Sequence, residues 1–131
     1  MRVVGLDNKQ YNLDLRHDDY VPDSSSYHKE AKKLISDIFI SYRVLEEVFL
    51  PGCSTNLYLD FFIPLLRLAI EVQGQQHEVY IPYFHKNKLG QVASIKRDRE
   101  KKEWCNLNNF TLIELSYNES IEEWKKKLIH M

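Results

Sequence analysis

The chain is poor in cysteine, glycine and proline, with two, four and four among 131 residues. Two cysteines, Cys53 and Cys105, cannot build a disulfide framework and lack the paired spacing of a zinc site. Each reads as a small buried hydrophobe, and the chain as one from a reducing, cytoplasmic compartment. A long apolar run is also missing. The longest, Leu57 to Ile70, is interrupted by Asp60, Pro64 and Arg67, so no membrane span is expected. The opening MRVVGLDNKQ has no apolar signal core. Neither sign of charge dominates: 18 basic and 19 acidic residues leave a net charge of −1. Such a balance does not announce a nucleic-acid partner, although binding needs only a local basic surface. There is no internal repeat and no low-complexity segment.

What is present is the length and apolar content of one globular domain. Val3–Leu6 and Tyr11–Leu13 form a candidate hairpin around the turn pair Asp7-Asn8. With the polar stretch 18–26, this makes an extension over 1–25, ahead of a domain over 26–131. From Tyr27 the apolar residues Ala31, Leu34, Ile35, Ile38 and Phe39 recur at helical spacing, with a cap expected from Ser24, Ser25 or Ser26. Three strands are predicted next, over 43–50, 57–63 and 67–73; the third alternates between Leu68, Ile70, Val72 and Arg67, Ala69, Glu71, Gln73. A loop over 74–89, a helix over 91–108, a strand over 110–115 and a last helix over 119–129 complete the order. In that last helix Ile121, Trp124 and Leu128 are expected to face inwards. The pattern predicts an α+β fold: a helix, a three-stranded antiparallel meander, a helix, a strand and a C-terminal helix around a mixed sheet.

The chemistry concentrates on two acids. If 57–64 and 67–73 form a hairpin centred between Leu65 and Leu66, Asp60 faces Glu71 across two apolar strands. Like charges in that position are destabilising, and burial sharpens the conflict. A divalent cation resolves it, because magnesium is commonly held by one or two carboxylates together with a phosphate. Magnesium or manganese at Asp60 and Glu71 would suit phosphodiester hydrolysis. Gly74 allows the chain to turn back after this strand, which can bring His77 near as a general base. Asp98, in the second helix, can orient that histidine. Lys86, Lys88, Lys96, Arg97, Arg99 and Lys101 are candidate phosphate contacts, and Tyr80, Tyr83 and Phe84 candidate base-stacking groups.

Over about Tyr27 to Leu115 these residues resemble the PD-(D/E)XK nuclease superfamily. The resemblance implies a restriction-endonuclease-like core with Asp60 and Glu71 as metal ligands. The position of that superfamily's catalytic lysine holds Gln73, which can neither act as a base nor carry charge. The chain is more similar to the very-short-patch-repair endonucleases and phage homing endonucleases with an EDxHD signature. That likeness implies Glu30 from the first helix, Asp60, His77 as base and Asp98 as its partner; Glu46 and Glu47 are rivals of Glu30. The expectation is a magnesium-dependent endonuclease acting on DNA, as a monomer, a homodimer or with a specificity partner. The alternative is a catalytically inactive nuclease fold kept as a nucleic-acid-binding or protein-interaction module.

Overall fold

A computed structural model of the chain describes residues 1–15, 26–73 and 85–130, the last of these from residue 92 onward for side chains. The chain opens with β1 (Arg2–Val4) and β2 (Gln10–Asn12), an antiparallel hairpin whose turn includes Asn8 at φ 66°. Then come α1 (Ser26–Ile38), β3 (Leu45–Leu50), β4 (Leu57–Ile63) and β5 (Leu68–Gln73). The remaining elements are α2 (His85–Leu107), β6 (Thr111–Ser116) and α3 (Ile121–Ile129). β3, β4 and β5 form an antiparallel meander, and β6 joins β5 in parallel, giving a mixed sheet in the order β3-β4-β5-β6. The α+β class and the mixed sheet therefore agree with the sequence. Among the described residues no helix is long and apolar enough to cross a membrane.

The hairpin β4–β5 has the expected register: Ile63 pairs with Leu68, Phe62 with Ala69 and Phe61 with Ile70. Its connection is a single 3-10 turn, Pro64–Leu66, closed by Arg67 in the left-handed region at φ 49°. Proline fits the first position of such a turn because its missing N–H would have no partner there. Arg67 belongs to this turn rather than to the strand. Its guanidinium is held by the carbonyls of Asn108 (2.5 Å) and Asn109 (3.3 Å) and lies over the Phe110 ring.

Both faces of the sheet are covered, which is why β5 buries Leu68, Ala69, Ile70 and Glu71 consecutively. On one face α1 contributes Ala31, Leu34 and Ile35 and α3 contributes Trp124 and Leu128, packed on Phe61, Ile63, Leu68, Ile70 and Leu115. On the other, Trp104 and Cys105 of α2 and Val3 and Leu13 from the hairpin region pack on Leu59, Phe62 and Ala69. Asn108 fixes the hairpin by accepting from the Val4 N–H at 2.7 Å and donating to the Val4 carbonyl at 2.8 Å. Two details differ from the sequence reading. α2 begins at His85, inside the stretch read as a loop. Ile121 is 40% exposed, because α3 starts there and only Trp124 and Leu128 point at the sheet.

β6 is an edge strand, and α3 protects it. Glu119 accepts from the Ser116 N–H at 2.9 Å, Trp124 Nε1 donates to the Ser116 carbonyl at 2.9 Å, and Lys127 Nζ donates to the Glu114 carbonyl at 2.7 Å. Edge groups left open invite pairing with other chains. Glu119→Ala is expected to lower stability by about 1 kcal/mol, read from urea unfolding, and to increase aggregation on heating.

Candidate active site

Asp60 is left out of the ladders on both sides. The β4–β5 pairing stops at Phe61–Ile70, one step short of Asp60 and Glu71. The β3–β4 pairing passes from Glu46–Phe61 to Val48–Leu59, skipping Glu47 and Asp60, which face each other. Glu47 has φ 51°, so β3 kinks at this point. The inward side of β3 changes parity there: Leu45 and Val48, three apart, enter the same core cluster. The freed backbone is satisfied by the side chain instead, with Asp60 Oδ2 accepting from the Val72 N–H at 2.8 Å.

Glu71 pairs with Glu114 across the parallel β5–β6 ladder. Glu47, Asp60, Glu71 and Glu114 thus form one acidic row across all four strands. Because Ala69 and Leu112 pack towards α2, Glu71 and Glu114, each two residues further on, point the same way. α2 answers with adjacent cations: Lys101 Nζ lies 3.0 Å from Glu71 Oε1, and Lys102 Nζ lies 3.2 Å from Glu114 Oε1. Gln73 Nε2 donates to Glu114 Oε2 at 2.7 Å. Asp60, Glu71, Gln73, Asp98, Lys101 and Glu114 line a cavity of about 100 Å³. A more open groove of about 600 Å³ adjoins it, sharing Leu112 and Glu114 and bordered by Lys102, Phe110 and Lys127.

Glu71 is only 8% exposed. Burial, then the charge of Asp60, push its pKa well above the ordinary carboxylate range; Lys101 opposes the shift. Its Oε1 is the one buried side-chain oxygen among the described residues without a hydrogen bond, so Lys101 meets it as a charge rather than as an aligned donor. For Lys101, burial pulls the pKa down, but Glu71, Asp60 and Asp98 outweigh it and hold the ammonium charged. The half-buried Glu47 is raised by burial and by Asp60.

The expected residues are thus partly assembled. Asp60, Glu71, Gln73 and Asp98 meet in the cavity. Lys101, read as a phosphate contact, is instead the cation set against Glu71. Lys96, Arg97 and Arg99 are exposed on α2. Glu30 does not join the site: it is exposed on α1, which covers the opposite face, and it is turned about 100° from the buried Ala31. His77 and the aromatics Tyr80, Tyr83 and Phe84 lie outside the described residues, as do the side chains of Lys86 and Lys88. The polar group that α1 does bury is His28, 3.0 Å from Glu46 and stacked on Phe61. Lys32 completes that cluster at 2.9 Å from Glu46. Its signal was His28 three residues before Ala31, on the apolar stripe. Glu114 gave no local signal, because its place depends on a parallel pairing across the intervening helix.

A divalent ion fits this donor set in part. Two carboxylates, one with a buried oxygen that has no aligned hydrogen bond, match the hard-oxygen preference of magnesium. Among the described residues no three His, Cys, Asp or Glu side chains converge as a cage.

The relatives are viral. The chain is 47% identical over 62 residues to uncharacterized protein 307L of Invertebrate iridescent virus 6, a match covering 47% of this chain and 32% of that protein. It is 36% identical over 67 residues to uncharacterized protein 033L of Invertebrate iridescent virus 3, covering 51% and 34%. With uncharacterized protein 094L of Frog virus 3 it shares 33% over 81 residues, covering 60% and 52%. The matched part therefore spans about one third to one half of these relatives. No family model matches the chain, and no solved structure matches it.

Proposed function

We propose that the protein is a metal-dependent endonuclease hydrolysing DNA phosphodiesters, with a restriction-endonuclease-like core of the PD-(D/E)XK kind. The observation that carries this reading is the Asp60–Glu71 pair, the glutamate buried and the aspartate half-buried, drawn into one cavity with Lys101. A binding scaffold gains nothing from two apposed acids inside a sheet, whereas functional sites are where folding rules are broken. Magnesium or manganese held by these two carboxylates would supply positive charge to a phosphate and acidify a bound water.

The chain's own residues then take distinct roles. The Val72 N–H holds Asp60 through Oδ2 and fixes its direction. Glu71, whose pKa is raised by burial and Asp60, would give up any proton it holds on taking the ion. Lys101 supplies the charge that Gln73 lacks, reaching the cavity from α2 rather than from β5. Gln73 stays bonded to Glu114 and braces the end of the strand. His77 remains the proposed general base and Asp98 its partner. Arg97, on the same side of α2 as Lys101, would meet phosphate.

One observation favours a second reading, the inactive binding module: Lys101 already supplies a cation at Glu71. Supercoiled plasmid, linear duplex and single strands, incubated with and without Mg²⁺ or Mn²⁺, separate the two. Metal-dependent cutting, lost in His77→Ala, supports the endonuclease; DNA retarded in a gel but uncut supports the module.

A further inference from the structure

The outward side of α2 carries a pattern that the cavity does not use. Ile95, Arg99, Glu103 and Leu107 recur every four residues and so form one ridge along the helix. Asp98 and Lys101, which line the cavity, lie roughly 120° or more around the cylinder from the middle of this ridge. All four ridge residues are exposed, Ile95 at 50% and Leu107 at 45%, and Val92 one turn earlier is 59% exposed. Among the described residues neither Arg99 nor Glu103 makes an ion pair. Their order, base before acid, is the weaker one for pairing within a helix. The ridge reads apolar, basic, acidic, apolar. Turned end for end, it presents an acid where it had a base and an apolar group where it had an apolar group.

We infer that α2 packs antiparallel against α2 of a second copy of this chain, about a two-fold axis passing midway between Arg99 and Glu103. Ile95 then meets Leu107 of the second copy and Arg99 meets its Glu103, each contact occurring twice. Lys96 falls opposite Asn106, and Val92 extends the apolar ends. A two-fold interface requires this self-complementarity. A nucleic acid would explain Arg99 but not Glu103, Ile95 or Leu107. Arg99 and Lys96 thereby become interface groups, and Arg97 stays on the cavity side. Asp98 and Lys101, which line the cavity, lie on the other side of α2, so pairing along the ridge does not cover them. None of this depends on the endonuclease reading.

Sedimentation velocity from micromolar to near-millimolar protein tests the inference. The wild-type chain should rise towards twice its monomer mass. Arg99→Glu alone places acid on acid and Glu103→Arg alone places base on base, so each should associate about tenfold or more weakly. An equal mixture of the two variants should re-form a dimer, because every contact then joins an acid to a base. As a readout independent of the charge variants, Ile95→Cys mixed with Leu107→Cys should cross-link under oxidation. A wild-type chain that stays monomeric overturns the inference. So do single charge variants that pair as well as wild type, and mixtures that neither recover the dimer nor cross-link.

Discussion

Asp60→Ala and Glu71→Gln are each expected to lower metal-dependent DNA cleavage by about 10³-fold or more, with the fold intact by circular dichroism. Asp60→Ala deletes a proposed ligand and also the acceptor for the Val72 N–H, so the end of β5 loosens as well. Glu71→Gln is the sharper test. It keeps shape and volume, removes one negative charge, and leaves a neutral amide that binds magnesium more weakly than a carboxylate does. It should also alter stability in a pH-dependent way. Because burial and Asp60 raise the Glu71 pKa, the folded chain holds a proton that the unfolded chain has released. Stability therefore falls as pH rises from the ordinary carboxylate range towards the raised value. Gln does not titrate, so Glu71→Gln should gain stability relative to wild type across that window and keep the difference above it. Cleavage measured in parallel with urea unfolding reads both effects.

Lys101→Met is expected to destabilise the fold by about 2–3 kcal/mol at neutral pH. Removing one partner of a buried pair typically costs roughly 3–5 kcal/mol. Here Glu71 can take up a proton instead, which limits the loss. The sign follows from the same coupling. Without Lys101 the Glu71 pKa rises further, so the defect grows as pH rises and shrinks at acid pH, where Glu71 is neutral in both folded and unfolded chains. Lys101→Met combined with Glu71→Gln should recover most of the loss, since the buried charge is then gone. Measuring both single variants and the double at two pH values isolates the pair. A double variant as unstable as Lys101→Met would show that Lys101 acts through packing alone.

The hairpin register was legible because it is local. Pro64 to Arg67 can close only a short turn, and the apolar strands on either side leave Asp60 and Glu71 facing each other. The types of the six helices and strands following the first helix were legible for the same reason, as runs of apolar spacing. What escaped depended on contacts between distant elements. Lys101 looked like one of several solvated cations until α2 docked and set it against Glu71. Glu114 joins the acidic row only through the parallel β5–β6 pairing. Glu30 was carried over by resemblance, and the helix that bears it covers the other face of the sheet. The kink at Glu47 has no glycine to mark it; a β-branched residue would be more strained at its φ of 51°.

The fold thus sets carboxylates that repel one another around a small cavity and balances them with lysines from one helix. Burial and Asp60 raise the proton affinity of Glu71, and a bound cation would oppose that shift as Lys101 does. Calorimetric titration with Mn²⁺, repeated in two buffers of different ionisation enthalpy, tests this most directly. One ion should bind, with more proton released to the buffer at lower pH, and both should be lost in Asp60→Ala. Absence of Mn²⁺ binding in the wild-type chain, or binding that survives Asp60→Ala unchanged, would contradict it.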